Sequence, residues 1–145
     1  SGYEHDEKGN MIESAEITKK NADRRMKKYE DIKKEAEKFE MIKIFGKKDS
    51  KNLVIGWGST KTVILDAIKD LDFKFLQVLY LKPLSDEIKK EMEKAGKVVI
   101  VETNVTGQLG RLIREKTGIK IENRILKYDG RPFLCDELRE ELMRI

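Results

Sequence analysis

The sequence has few of the residues that build disulfides, metal cages and membrane spans. Its 145 residues include one cysteine, one histidine, two prolines and one tryptophan. A single cysteine, Cys135, excludes an internal disulfide or a cysteine cage for a metal within this chain, and it fits a reducing compartment. No apolar run approaches the roughly 20 residues of a membrane-spanning helix, and no signal peptide is visible. We therefore expect a cytoplasmic protein that has no membrane partner.

Charge is abundant, and it is present in both signs. Charged residues make up 40% of the chain, and 31 basic against 27 acidic residues leave a net charge of +4. Nucleic-acid interfaces need basic residues gathered in one patch, whereas these are spread along the chain. The basic segment 19–38 is interleaved with acidic residues, namely Asp23, Glu30, Asp31, Glu35 and Glu37. The charge pattern therefore argues against a nucleic-acid partner.

Two parts of different character follow each other along the chain. Residues 1–40 combine a polar opening with a charged segment from about Ser14 to Phe39, which predicts a linker and a long amphipathic helix. Its narrow apolar stripe consists of Ala22, Met26, Tyr29, Ile32, Ala36 and Phe39. A helix this polar is weakly stable by itself. The stripe therefore predicts either an arm that lies on the rest of the protein or a contact with another chain. The Ser-Gly-Tyr start without methionine is interpreted as a piece of a longer protein.

The second part, 41–145, alternates short apolar runs with segments of helical period. The predicted strands are 41–45 (an edge strand), 53–57, 75–81, 98–102 and 121–126, and the intervening segments carry apolar residues three or four positions apart. Strands that alternate with helices predict right-handed crossovers. We therefore predict an α/β fold in three layers with a mostly parallel sheet. Ser59, Ser85 and Thr106 are predicted to cap three of its helices.

Ligands of open parallel sheets usually bind beyond the carboxyl ends of the strands. Three loops are expected there: 56–60, 82–85 and 103–107. In the first, Gly56 and Gly58 permit close backbone approach, and Ser59 and Thr60 open the next helix, as in a phosphate-binding loop. However, Lys61 occupies the third glycine position of a dinucleotide fingerprint, and no Walker-type loop is present. The loop is therefore either an anion site or, as we favour, a tight turn capped by Ser59.

The other polar residues give no recognisable catalytic set. Glu102, Asn104 and Gln108 are predicted either to orient a ligand or to hydrogen-bond the neighbouring loops. His5 has acidic neighbours, but it is interpreted as part of a solvated turn rather than a metal ligand. Cys135 is interpreted as a half-buried structural residue. We predict no catalytic residue and no metal site in these 145 residues.

Four segments, taken in order, resemble the C-terminal region of the α subunit of 2-oxoacid:ferredoxin oxidoreductases. They are VIGWGST, YLKPLS, VVIVETNVTGQLGRLIRE and KYDGRPF, and the opening YEHDEKGN with NADRRMKKYE resembles the preceding linker of that subunit. The matching family positions are Gly56, Gly58, Ser59, Thr60, Pro83, Glu102, Asn104, Gly107 and Gln108. Val105-Thr106 is one residue longer than the corresponding spacing in some relatives. The resemblance implies a domain similar to the transketolase C-terminal domain.

The resemblance also implies a parent enzyme that oxidatively decarboxylates a 2-oxoacid with coenzyme A and passes electrons to ferredoxin. Thiamine diphosphate and Mg²⁺ would lie between the N-terminal domain of the same subunit and a β subunit, and iron–sulfur clusters would lie on other, cysteine-rich chains. The implied partners are thus the subunit's own thiamine-binding domain, the other subunits and ferredoxin. For this chain we expect a structural or interface role without a cofactor of its own. The alternative is a free-standing anion- or nucleotide-binding module that uses the loop 56–60, and the identity of the 2-oxoacid stays open.

Overall fold

The computed structural model describes residues 3–145, which fall into two compact units that meet in sequence after Phe39. In the first unit, β1 (Glu4–His5) and β2 (Met11–Ile12) form an antiparallel hairpin, followed by helix α1 (Ala15–Ala36). Asp6 closes the hairpin turn, since its Oδ1 accepts from the backbone N–H groups of Lys8 and Asn10 at 2.9 and 2.8 Å. The side-chain amide of Asn10 donates to the other carboxylate oxygen of Asp6 at 3.0 Å. This hydrogen bond, together with those from the two backbone N–H groups, lowers the pKa of Asp6.

Helix α1 is amphipathic, as predicted, but it is shorter than the apolar stripe suggested. It ends at Ala36, with Glu37 as the C-cap, so Phe39 lies outside the helix. Ala36 is buried, whereas the Met26 and Phe39 side chains are 64% and 58% exposed. Glu4 in β1 binds the guanidinium of Arg25 with both carboxylate oxygens, at 3.1 and 2.7 Å, and thereby ties the hairpin to the helix. His5 lies exposed in β1 instead of in the turn that follows it.

The second unit, 40–145, is the predicted three-layer α/β domain. Its elements in order are β3 (Ile42–Gly46), β4 (Asn52–Trp57), α2 (Thr60–Ala67), β5 (Lys74–Val78), α3 (Glu87–Lys94), β6 (Lys97–Glu102), α4 (Gln108–Thr117), β7 (Asn123–Leu126) and α5 (Cys135–Arg144). The sheet has the order β3-β5-β4-β6-β7. All neighbours pair in parallel except β3, which runs antiparallel at the edge, so the prediction of a mostly parallel sheet with an edge strand at 41–45 is confirmed.

Two apolar clusters cover the two faces of this sheet. One includes Ile55, Ile100 and Ile113 and lies on the side of α3 and α4. The other includes Val54, Ile64 and Leu138 and lies on the side of α2 and α5. Consecutive residues of β4 therefore enter opposite clusters, as the alternation of a strand buried on both faces requires.

Two predicted strands are longer in the sequence pattern than in the structure. The strand predicted for 75–81 ends at Val78, and the one predicted from 121 begins at Asn123. Ile121 is nevertheless only 2% exposed, because it packs into the core from the loop that precedes β7. Apolar runs report burial as well as extended conformation, so they overran the strand ends.

One charged cluster inside this unit has no counterpart in the sequence analysis. The Lys74 side chain on β5 is only 6% exposed, and its Nζ lies 2.7 Å from a carboxylate oxygen of Glu91 on α3. The other carboxylate oxygen of Glu91 lies 2.7 Å from the Nζ of Lys94. A hydrogen bond from Lys74, supported by the one from Lys94, lowers the pKa of Glu91 below its ordinary 4.5. The cluster fastens α3 to the sheet through a carboxylate that two ammonium groups share.

We expect the Glu91→Gln variant to lose stability at neutral pH and to approach the wild type in acid. Because the pKa of Glu91 is lower in the folded chain than in the unfolded one, its contribution is complete above about pH 4.5. That contribution disappears as the pH falls through the folded-state pKa. Urea unfolding at about pH 7, 4 and 3 measures the difference in unfolding midpoint between the wild type and Glu91→Gln, and this difference should decrease as the pH falls. Exposed Glu93 on the same helix supplies the control Glu93→Gln. A gap that is constant with pH would contradict the assignment.

Candidate functional site

The carboxyl ends of the four parallel strands lie at one edge of the sheet, which we call the carboxyl rim. It comprises the loops 56–60, 79–86, 103–107 and 127–134, which follow β4, β5, β6 and β7. The three loops predicted to gather at this edge lie within it. Ligands of such sheets most often bind at this edge.

The first loop, 56–60, is a close-packed turn. A Cβ on Gly56 would lie 2.5 Å from the Cδ1 of Ile64 and 3.1 Å from the Oγ1 of Thr60, so glycine lets α2 pack tightly on β4. Gly58 has φ +58°, in the left-handed region that favours glycine. The hydroxyl of Thr60, which is buried, donates to the carbonyl of Trp57 at 2.8 Å.

Ser59 occupies the N-cap position of this helix, as predicted, but its side chain does not cap the helix. Ser59 has φ −68° and ψ −16°, a helical conformation, and its side chain makes no capping hydrogen bond. An N-cap side chain usually reaches the free N–H groups of the first turn from an extended backbone. The backbone of Ser59, which follows the left-handed Gly58, is helical instead. The hydroxyl of Ser59 is therefore exposed at the rim.

The third loop, 103–107, is organised around a buried carboxylate. Glu102, the last residue of β6, is 0% exposed. Its Oε2 accepts from the backbone N–H of Leu109 and from the side-chain amide of Asn104, both at 2.8 Å. Its Oε1 accepts from the N–H of Gly110 at 3.0 Å. The carboxylate thus occupies the N-terminus of α4, where a helix most readily binds an anion.

Asn104 completes this arrangement in place of the predicted cap. Its Oδ1 accepts from the N–H of Gln108 at 3.1 Å, so three successive helix donors are bound by two side chains. The prediction that Thr106 caps α4 is wrong, since Gly107, with φ +63°, precedes the helix. A Cβ on Gly107 would lie 3.6 Å from the Oε1 of Glu102. The left-handed turn therefore brings the chain close to the carboxylate.

The second loop leads from β5 to α3 through a cis Lys82–Pro83 peptide bond. The helix begins at Glu87 with Asp86 at the N-cap, one residue after the predicted cap Ser85. The Ser85 hydroxyl nevertheless accepts from the N–H of Glu87 at 3.2 Å. Its predicted hydrogen-bonding role is present, although the helix boundary differs.

The surface of the carboxyl rim is rich in apolar side chains. The exposed fractions are 39% for Leu79, 60% for Val105, 67% for Tyr128 and 59% for Leu134. Leu79 and Val105 lie in the loops after β5 and β6, Tyr128 and Leu134 lie in the loop after β7, and half-buried Trp57 ends β4. Apolar side chains that gather at one edge are typical of a surface that contacts another protein.

A shallow cleft of about 390 Å³ opens at the same edge between α2 and the start of α5. Its residues are Ser59, Thr60, Thr62, Val63, Asp66, Thr103, Pro132, Phe133, Leu134 and Cys135. The sequence analysis did not predict Asp66 and Thr62 as site residues. They line the cleft together with Thr103 only because the chain folds back through the 127–134 loop. Cys135 is half-buried, which agrees with its interpretation as a structural residue.

Residues 3–145 contain neither a candidate metal centre nor a candidate membrane span. No group of three or more His, Cys, Asp or Glu side chains among them is placed to hold a metal ion. None of the helices in this part of the chain is both long enough and apolar enough to cross a membrane.

Comparison with known proteins decides the family. No protein-family profile matches the chain. The 2-oxoacid:ferredoxin oxidoreductase α subunits of Sulfurisphaera tokodaii and Saccharolobus solfataricus are 37% and 32% identical to it over 148 and 151 residues, which cover all of this chain and 24% of each relative. The crystal structure of the α chain of a probable 2-oxoacid ferredoxin oxidoreductase from Thermoplasma acidophilum is 33% identical, with a TM-score of 0.50, and the match covers 72% of this chain and 95% of that one.

The chain belongs to the α-subunit family of 2-oxoacid:ferredoxin oxidoreductases. It spans about a quarter of the length of the curated α subunits that it matches. The 2-oxoglutarate:ferredoxin oxidoreductase of Magnetococcus marinus, solved with 2-oxoglutarate, coenzyme A and succinyl-CoA bound, is 24% identical with a TM-score of 0.75. That match covers 98% of this chain and 26% of the other, and it supports the fold. The resemblance deduced from the sequence motifs is confirmed.

The α-subunit motifs divide into two separate local structures. Glu102, Asn104, Gly107 and Gln108 form the hydrogen-bonded unit at the start of α4. The residues of 56–60 form the packed turn before α2. Whether either structure contacts a ligand or a partner stays a prediction.

Proposed function

We propose that this chain is a structural interface domain of an α subunit, and that it supports catalysis by holding other domains without taking part in the chemistry. The parent complex would oxidatively decarboxylate a 2-oxoacid to an acyl-CoA and pass the electrons to ferredoxin. Its partners would be the thiamine-binding domain of the same subunit, the other subunits and ferredoxin. We further propose that the complex is cytoplasmic.

The buried carboxylate of Glu102 is the observation that carries this proposal. A phosphate or carboxylate ligand at the start of α4 would need the N–H groups of Leu109 and Gly110, and both already donate to Glu102. A second anion beside a carboxylate in so dry a place would be repelled. The chain therefore fills with its own side chain the position that a ligand would use.

The cofactors of the parent complex do not fit this chain. Thiamine diphosphate and Mg²⁺ need acidic metal ligands near a diphosphate, and residues 3–145 hold no metal-ligand cluster. An iron–sulfur cluster needs several cysteines, and the sequence has one. We therefore assign thiamine diphosphate, Mg²⁺ and the iron–sulfur clusters to other parts of the complex.

Calorimetric titration of the purified chain tests the proposal. We expect no saturable heat with thiamine diphosphate plus Mg²⁺, with coenzyme A or with ATP, because the α4 helix terminus is occupied by Glu102. The full-length α subunit in its complex serves as the positive control for thiamine diphosphate and coenzyme A. Binding to the chain alone with a micromolar dissociation constant would contradict a purely structural role.

The alternative is an anion- or nucleotide-binding module that uses the loop 56–60. The observation in its favour is the exposed hydroxyl of Ser59 beside a left-handed glycine at the start of α2. That alternative predicts measurable binding of inorganic phosphate that Gly58→Val weakens at least tenfold, since a branched side chain strains the left-handed turn. Gly130→Val, at a second open glycine with φ +80°, is the matched control.

A further inference from the structure

The cleft between α2 and α5 has one wall that carries polar groups at helical spacing. Ser59, Thr62 and Asp66 are separated by three and four residues, so they lie along one side of the first two turns of α2. Thr103, directly after β6, adds a further hydroxyl to the lining. The opposite wall is apolar and consists of Pro132, Phe133 and Leu134. The cleft thus combines hydrogen-bond acceptors with an apolar surface.

The one charged side chain that lines the cleft is acidic. It belongs to Asp66, which makes no ion pair within residues 3–145, whereas Lys127 lies outside the lining, with its Nζ 6.0 Å from the centroid of the Phe133 ring. Most carboxylates of the second unit are paired, for example Glu137 with Lys127 and Glu140 with Arg144. An unpaired carboxylate beside three hydroxyls favours a cationic group and disfavours a phosphate.

The apolar surroundings indicate where that cation comes from. Leu134, 59% exposed, lines the cleft, and Leu79, Val105 and Tyr128 are further exposed apolar side chains of the rim loops. A free metal ion or small amine would leave these side chains in water. A protein surface would cover them and deliver a cation on a long side chain at the same time.

We propose that the carboxyl rim of this domain docks on another domain or subunit of the same enzyme, and that a lysine or arginine of that partner enters the cleft and pairs with Asp66. This inference rests on the proposed function and specifies which surface of the domain makes the contact. The hydroxyls of Ser59, Thr62 and Thr103 accept the remaining N–H groups of the cation. Phe133 and Leu134 pack against the aliphatic part of the same side chain. The partner surface around it is apolar, to match Leu79, Val105 and Tyr128.

Photo-crosslinking in the assembled enzyme with the full-length α subunit tests this surface. A photoreactive phenylalanine analogue replaces Leu134, and in a matched protein it replaces Met143, which is 64% exposed. Met143 lies near the end of α5 that is distant from the cleft. At that end, the ammonium of Lys97 at the start of β6 donates to the carbonyl of Ile145, so Met143 lies at the opposite edge of the sheet. We expect Leu134 to crosslink to a peptide that contains a lysine or arginine, in at least tenfold higher yield than Met143.

A charge reversal then tests the role of Asp66. Asp66→Arg should lower the crosslinking yield at Leu134 about tenfold, and replacement of the partner's cation by aspartate should restore it. Asp49→Arg reverses an exposed charge in the turn between β3 and β4, at the other edge, and should leave the yield unchanged. Since Asp66 is exposed, the variant should fold, and the unfolding midpoint of the purified chain verifies this.

Three results would overturn the docking surface: equal crosslinking at Leu134 and Met143, a yield at Leu134 that Asp66→Arg does not alter, or a partner peptide without a cation. None of them contradicts the proposed function, because a structural domain can dock through another face. Conversely, micromolar cofactor binding by the purified chain would contradict the structural role, whatever the crosslinks show. The two failures are therefore distinguishable.

Discussion

Replacement of Glu102 by alanine is expected to lower the free energy of unfolding by about 4 kcal/mol. The substitution leaves the N–H groups of Leu109 and Gly110 and the amide of Asn104 without their acceptor in a dry interior. An unsatisfied buried donor costs about 1–3 kcal/mol, and a cavity the size of the lost side chain adds to this. Water that enters the cavity offsets part of the sum. Urea unfolding of the purified chain measures the difference.

Two companion variants make this experiment decisive. Glu102→Gln keeps the shape and one acceptor oxygen, so we expect a loss of about 2 kcal/mol, roughly half that of alanine. Glu115→Ala removes an exposed carboxylate from the same helix and should change stability by less than about 0.5 kcal/mol. If Glu102→Ala were no worse than Glu115→Ala, the carboxylate would not organise the start of α4. The structural role would then lose its main support.

Replacement of Gly46 by alanine is expected to cost about 3 kcal/mol, from two causes that act together. Gly46 has φ +73°, and a Cβ there would lie 2.6 Å from the carbonyl oxygen of Phe73 and 3.2 Å from the Cδ1 of Ile68. The left-handed backbone costs about 1 kcal/mol for alanine. The clash with a backbone carbonyl adds about 1–3 kcal/mol, because β3 must shift against β5. Thermal and urea unfolding both report the loss.

Gly118→Ala separates these two causes. Gly118 ends α4 with φ +77°, and a Cβ there would have nothing within 4 Å. We therefore expect about 1 kcal/mol from the backbone alone. Equal effects at the two glycines would show that the close contact with Phe73 carries no energy in solution, and that the edge strand adjusts freely.

Periodicity predicted the layers of this fold well, and it predicted the helix starts poorly. Runs such as Leu53–Trp57 are buried on both faces, and this pattern leaves few alternatives to a parallel sheet between helices. Helix starts are different. Ser59 and Thr106 have suitable side chains for capping, but the backbone at Gly58 and Gly107 decides which acceptor reaches the helix. At α4 that acceptor, Glu102, comes from the preceding strand, beyond the reach of a local capping rule.

The burial of polar residues was the second feature that the sequence did not predict. Lys74 and Glu102 lie at the start and at the end of their strands, and their positions in the sequence predict burial for neither, although Glu102 was expected to hydrogen-bond the neighbouring loops or a ligand. Their burial follows from partners elsewhere in the chain, Glu91 in one case and the first turn of α4 in the other. Similarly, Asp66 reads as a polar helix residue until the 127–134 loop is placed beside it.

The order of apolar runs in the sequence was enough to determine the three-layer α/β class, since that class depends on local periodicity, and the motifs indicated the oxidoreductase α-subunit family by resemblance. Only the tertiary structure decided that Glu102 fills the anion position of α4, that the carboxyl rim exposes apolar side chains, and that the unpaired Asp66 of α2 lines a cleft at this edge. The reason is physical: hydrogen-bond satisfaction and surface charge depend on which distant side chains share a few ångströms of space, and no local pattern encodes that distance.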